Sequence, residues 1–103
     1  MKFVVHVADS SRLDAADAAG WYESRQPGLG DDFRAEVKAV IRTLAEDALL
    51  HGIRFRDVRR AGLRRFSDYG LFYVVREAEV TIFAIAHGAR NPAWVRRRRS
   101  HLG

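Results

Sequence analysis

The spacing of hydrophobic and polar positions changes twice along the chain. Lys2 to Ala8 (KFVVHVA) is dense in β-branched and aromatic residues, the composition of a strand. Beyond it, Ala15, Ala18, Ala19 and Tyr22 stand at i, i+3, i+4 and i+7, which predicts a helix to about Gln26 with a small, Ala-rich buried stripe. Asp9, Ser10 and Ser11 precede that stripe and offer short side-chain oxygens to the free amides of a first turn. Pro27, Gly28 and Gly30 close the helix, and Asp31 or Asp32 caps a second one, in which Phe33, Val37, Val40, Ile41, Leu44 and Ala48 recur on one face to about Leu50. After His51 and Gly52 the period shortens to that of extended chain. Ile53 to Phe66 alternates imperfectly and is crowded with Arg, while Leu71 to Arg76 (LFYVVR) and Glu79 to His87 (EVTIFAIAH) read as strands joined by a tight turn at Glu77-Ala78.

The last strand is apolar on both sides, with Val80, Ile82, Ala84 and Ala86 on one and Phe83 and Ile85 on the other, so it belongs in the middle of a sheet. A central strand needs two neighbours. Leu71 to Arg76 supplies one, and the first strand is the one left for the opposite side. The expected fold is therefore α+β, in the order β-α-α-β-β-β, with a helical hairpin packed on one face of a small, mostly antiparallel sheet. The other face is then either solvated or a binding surface.

At 103 residues the expectation is one domain spanning 1–103, with 91–103 a basic C-terminal tail. Charge sharpens this picture. Residues 1–50 hold 6 basic and 9 acidic side chains, whereas residues 51–103 hold 12 basic and 4 acidic. Only Lys2 and Lys38 are Lys; the other 16 basic residues are Arg, whose rigid forks suit phosphate or carboxylate, so an anionic partner is expected. Cys is absent, which excludes disulfides, thiolate zinc sites and a Cys nucleophile and points to a reducing cytoplasm. The four His (His6, His51, His87 and His101) lack metal-ligand spacing, so no metal and no cofactor is expected. Apolar runs are of strand length and no signal-peptide pattern opens the chain, so neither a membrane span nor secretion is expected.

On the second sheet face, Arg56, Arg59, Arg60, Arg64, Arg65 and Arg76 are interleaved with Phe66, Tyr69, Phe72 and Tyr73. Guanidinium neutralises phosphate and rings stack bases, so this mixture suits RNA with unstacked bases. The competing reading is a solvated strand face whose aromatics, Phe72 and Tyr73 among them, are core.

Three segments in order carry a family resemblance: WYESRQPGLGDDF (Trp21 to Phe33), the strands with Arg64-Arg65-Phe66 and Tyr73, and AIAHGARNPAWVRRR (Ala84 to Arg98). Together they resemble the RelE/ParE superfamily of type II toxins, often labelled plasmid stabilisation proteins. The resemblance implies a cytoplasmic, growth-inhibiting toxin encoded beside a cognate antitoxin, whose acidic or amphipathic segment folds on binding, wraps the toxin and masks its working surface. A toxin–antitoxin heterotetramer is one assembly it allows. Trp21 and Tyr22 are expected to lock the helical hairpin.

Two activities divide the superfamily. One branch cleaves mRNA on the ribosome, a metal-independent endoribonuclease reaction that needs a base for the 2'-OH, an acid for the leaving oxygen and cations for charge growing on phosphorus. His87, at the end of the last strand, is the His placed for acid–base work, and Arg64, Arg65 and Arg90 are the candidate phosphate clamps. Nuclease members often carry a Tyr or His near the C-terminus and a Lys-rich helix; here Lys38 stands alone in its helix and no Tyr follows Tyr73. The ParE branch instead poisons DNA gyrase by protein contact. For that activity the expected target-binding residues are Arg64, Arg65, Tyr73, Arg90, Trp94, Arg96 and Arg97. Trp94 is then an anchor on an extended C-terminal segment and Arg96 to Arg99 an electrostatic guide, although Trp94 equally suits a role in pinning the tail to the fold. A third reading is a nucleic-acid-binding module without toxicity.

Overall fold

In the computed structural model, which describes residues 2–88 and 92–102, the strand and helix order is β1 (Val4–Val7), α1 (Asp9–Arg25), α2 (Leu29–Glu46), β2 (Ile53–Phe55), β3 (Val58–Gly62), β4 (Tyr69–Arg76), β5 (Glu79–His87) and α3 (Pro92–Ser100). The Arg-rich stretch expected as one extended segment is thus a hairpin of two strands. The sheet order is β1-β5-β4-β3-β2, with β1 parallel to β5 and every other pairing antiparallel. β5 is an interior strand, flanked by β1 on one side and β4 on the other, as its apolar run requires; with β3 and β2 added beyond it, β4 is the middle strand of the five.

The α1–α2 hairpin turns on glycine and one carboxylate. Gly28 sits at φ 89°, in the left-handed region, where a side chain is strained. Glu23 accepts hydrogen bonds from the amides of Gly28 (3.0 Å) and Gly30 (3.0 Å), the role expected of Asp31 or Asp32, which lie instead inside the first turn of α2. A Cβ on Gly30 would stand 2.6 Å from the Ala19 carbonyl, so glycine sets how closely the two helices approach. α1 likewise starts without a side-chain cap, at Ala8. Ser11, expected among the caps, is fully buried and donates to the Ile82 carbonyl at 3.1 Å, tying α1 to β5.

One core lies between this hairpin and the sheet, built on Ala18, Ala19, Phe33, Val37, Leu44, Leu71, Tyr73, Val80, Ile82 and Ile85. An aromatic box closes one end of it: Tyr22, Phe33 and Phe66 have ring centroids 4.6–5.4 Å apart, with Tyr69 5.5 Å from Phe33. Tyr22 therefore locks the hairpin as expected, while Trp21 is half exposed and touches Tyr22 edge-on.

The second face of the sheet is not open throughout. A bulge in β5 pairs Tyr73 with Ile82 and Phe72 with Ala84, leaving Phe83 as the extra residue. Strict alternation groups Ala84 with Ile82; the bulge moves Ala84 to the side of Phe83. Phe83 and Ala84 then join Val58, Phe72 and Val74 in a second apolar cluster covered by Val95 and Trp94 of α3. The tail expected to be extended is a helix over Pro92–Ser100, packed against β5.

Candidate functional site

α3 is held down by the last two residues of its Arg run. Arg98 reaches α1, where Asp14 takes its two terminal nitrogens at 3.0 and 3.2 Å, and it also donates to the Phe83 carbonyl at the bulge. Asp14 simultaneously accepts from the Ile85 amide (3.1 Å), so one carboxylate joins α1, β5 and α3. Arg99 forms a forked pair with Asp57 in the β2–β3 turn, at 3.0 and 2.8 Å. Those hydrogen bonds hold the Asp57 carboxyl below its ordinary value, against the opposing effect of its partial burial, and raise the Arg99 pKa. Arg98 also lies 4.2 Å over the Trp94 ring.

These contacts leave a groove of about 460 Å³ between the β2–β3 hairpin and α3, lined by Arg54, Phe55, Arg60, Ser67, Asp68, Phe72, Val95 and Arg96, among others. Among the described residues Arg60 donates two long hydrogen bonds, to the Ser67 (3.4 Å) and Asp68 (3.3 Å) carbonyls. Desolvation first, and the Arg54 charge second, pull its pKa down, with Asp68 partly opposing them. Arg96 stands over the Phe55 ring at 5.3 Å. Among the described residues no carboxylate lies within ion-pair distance of Arg54, Arg60 or Arg96.

His87 occupies a separate pocket of about 360 Å³, with Asp14, Ala18, Tyr69, Ile85, Ala86 and Trp94. Its Nε2 stands 3.4 Å from Asp68, its ring meets Tyr69 edge-on, and its Nδ1 is buried with no hydrogen-bond partner among the described residues. The charged groups described beside it are Asp68 and Asp14, the latter paired with Arg98. Arg65 is directed to α2, with its guanidinium 2.8 Å from Asp32 and its amide donating to Glu36. Arg64 is exposed nearby in the chain, and Arg90 lies outside the described residues.

Of the residues expected to meet a target, Arg96 lines the groove and Arg97 is exposed on α3. Two expectations change. Tyr73 is fully buried, donates its hydroxyl to the Ala48 carbonyl at 2.7 Å, and has its pKa pushed up to about 12 by that burial, so it ties β4 to the end of α2 instead of facing outward. Trp94 is partly buried on the second apolar cluster, which is the pinning role. Arg54 and Phe55 escaped the sequence reading, whose signal there was only a basic residue on each side of an aromatic one. Arg59, expected on the sheet face, donates to the His51 carbonyl at 2.6 Å and fastens the loop after α2. Among the described residues no cluster of three or more His, Asp or Glu is placed to hold a metal ion, and no helix is long and apolar enough to cross a membrane.

Comparison with known proteins agrees with this fold. No curated protein sequence matches the chain. A solved structure described as the chromosomal ParDE TA system from P. aeruginosa superposes with a TM-score of 0.66 over 82% of this chain and 94% of that one, at 16% sequence identity, which is a likeness of fold. The sequence model of the ParE toxin of the type II toxin-antitoxin system, parDE, matches residues 5–92, from β1 to the start of α3. The strand, the helical hairpin with its glycine turn, and the sheet with β5 between β1 and β4 are thus those of a ParE toxin of a type II toxin–antitoxin system, within the RelE/ParE superfamily, and to that family the chain belongs.

Proposed function

We propose that this ParE-type toxin stops growth by binding a macromolecular target, DNA gyrase being the expected one, and that a cognate antitoxin neutralises it in the cytoplasm. The observation carrying the binding mode is how the groups are distributed among the described residues. The cations without a carboxylate partner, Arg54, Arg60 and Arg96, line one groove with Asp68, whereas the His87 ring lies in the adjoining pocket with Asp14, its Nε2 3.4 Å from Asp68. Acid–base cleavage of a phosphodiester needs both sets around one phosphorus. Contact with a target needs only the surface.

For the antitoxin, a groove on the helical-hairpin side fits an acidic, amphipathic segment. Its floor is Val7, Ala15, Val37, Ile41 and Ile85 and its rim Arg12, Arg34 and Lys38, none of which has a carboxylate partner among the described residues. The endoribonuclease reading keeps one feature in its favour, the buried Nδ1 of His87, which has no hydrogen-bond partner among the described residues. Induced expression tests the proposal: growth arrests, and co-expression of the adjacent short reading frame restores it. Normal growth of cells that accumulate the protein contradicts it. Toxicity abolished by His87→Ala, together with codon-phased mRNA ends, transfers the activity to the nuclease branch.

A further inference from the structure

The groove between the β2–β3 hairpin and α3 gathers the cations that the fold leaves unbalanced. Arg65, Arg98 and Arg99 each meet a carboxylate at 2.8–3.0 Å, whereas Arg54, Arg60 and Arg96 line a single groove with no such partner among the described residues. Like charges held together in a partly desolvated site repel until an anion enters, so the empty groove is electrostatically prepared for one.

Arg60 is also built into place. A Cβ on Gly70 would stand 2.6 Å from its Nε, and one on Gly88 would stand 3.3 Å from its Nε and 2.6 Å from Phe72 Cζ. The slot that carries this guanidinium therefore exists because two side chains are absent. Phe72, with Arg60 5.8 Å over its ring, and Phe55 wall the groove.

We propose that this groove binds single-stranded nucleic acid, with a phosphate held among Arg54, Arg60 and Arg96 and the attached sugar and base against Phe55 and Phe72. Three guanidinium forks match phosphate oxygens, and a volume of about 460 Å³ takes a nucleotide-sized group rather than a lone carboxylate. Aromatic walls suit a base. Asp68 at the rim can accept from a base amino group, and the hairpin-side groove with its apolar floor is better shaped for an acidic amphipathic peptide. The inference goes beyond the toxin assignment and does not depend on which protein the toxin attacks.

The test is fluorescence anisotropy of a short fluorescein-labelled single-stranded oligonucleotide titrated with the full chain at several salt concentrations. One phosphate neutralised among the three guanidiniums gives a log–log salt slope of about −0.7. The Arg54→Gln/Arg96→Gln double variant changes only exposed side chains. It weakens binding roughly tenfold or more and flattens the slope toward zero, while Arg42→Gln, exposed on α2, stays within about twofold of the parent. Arg60→Gln weakens binding too, but the double variant decides the matter because it leaves the Arg60 slot intact. No oligonucleotide binding, binding unchanged in the double variant, or a poly-glutamate peptide competing at lower concentration than unlabelled oligonucleotide overturns the proposal. None of these readouts needs a toxic effect, so this inference and the growth-arrest reading fail separately.

Discussion

Whether an arginine of this chain holds the fold or faces a partner is decided by what surrounds its guanidinium. Arg98 is only 20% exposed at its side chain and Asp14 only 14%, so removing one strands the other in a poorly hydrated site. Arg98→Met is expected to lower the unfolding free energy by about 2–3 kcal/mol, whereas Arg97→Met, at an exposed position one residue away, changes it by less than about 0.5 kcal/mol; urea unfolding of the two separates them. Tyr73 gives a second test. Its folded pKa of about 12 lies above the ordinary phenol value of 10.0, so the neutral phenol stabilises the fold fully below pH 10 and that contribution is lost as pH rises toward 12. An alkaline loss of about 2–3 kcal/mol follows from a shift of this size. Tyr73→Phe costs about 1 kcal/mol at neutral pH through the hydrogen bond to Ala48, yet has a shallower alkaline limb. The sequence displayed the four arginines from Arg96 to Arg99 as one solvated run. Only a helix sorts them, since spacing of 100° per residue sends Arg98 and Arg99 to different carboxylates and leaves Arg97 in solvent.

At the scale of elements, the sequence is most legible where hydrophobic period and turn chemistry agree. The α1–α2 hairpin, the Glu77-Ala78 turn between β4 and β5 and the interior place of β5 could all be read from it. Two features could not. The bulge at Phe83 lies in a strand that is apolar on both faces, so no alternation marks where the register shifts. α3 has no apolar stripe of its own beyond Trp94 and Val95; it is a helix because the bulge presents a second apolar cluster for it to cover, with Arg98 and Arg99 fastening it. The same dependence predicts an acid response. Asp57 has its folded pKa below the ordinary carboxylate value of 3.8, so the stability it contributes through Arg99 is present above that pH and is lost as pH falls through the folded value. In a Trp21→Phe background, Trp94 emission is expected to shift to the red at that acid transition. Asp57→Asn shows part of the shift already at neutral pH, and a spectrum identical to the parent there contradicts the fastening role.

For the molecule as a whole, the uneven charge seen along the sequence becomes two cationic grooves separated by the sheet. One lies under Arg12, Arg34 and Lys38 on the hairpin side and the other among Arg54, Arg60 and Arg96 beside α3. Half-chain totals concealed the first, because its three cations lie in the stretch where carboxylates outnumber bases. The central claim is that this ParE-type toxin acts by engaging its target without cutting RNA. The most direct measurement adds the purified full chain to DNA gyrase and relaxed plasmid and follows supercoiling and strand breakage. Inhibited supercoiling or accumulated breaks are expected, with His87→Ala as potent as the parent. Unimpaired gyrase turnover, with the same preparation cutting ribosome-bound mRNA in a His87-dependent way, contradicts that claim.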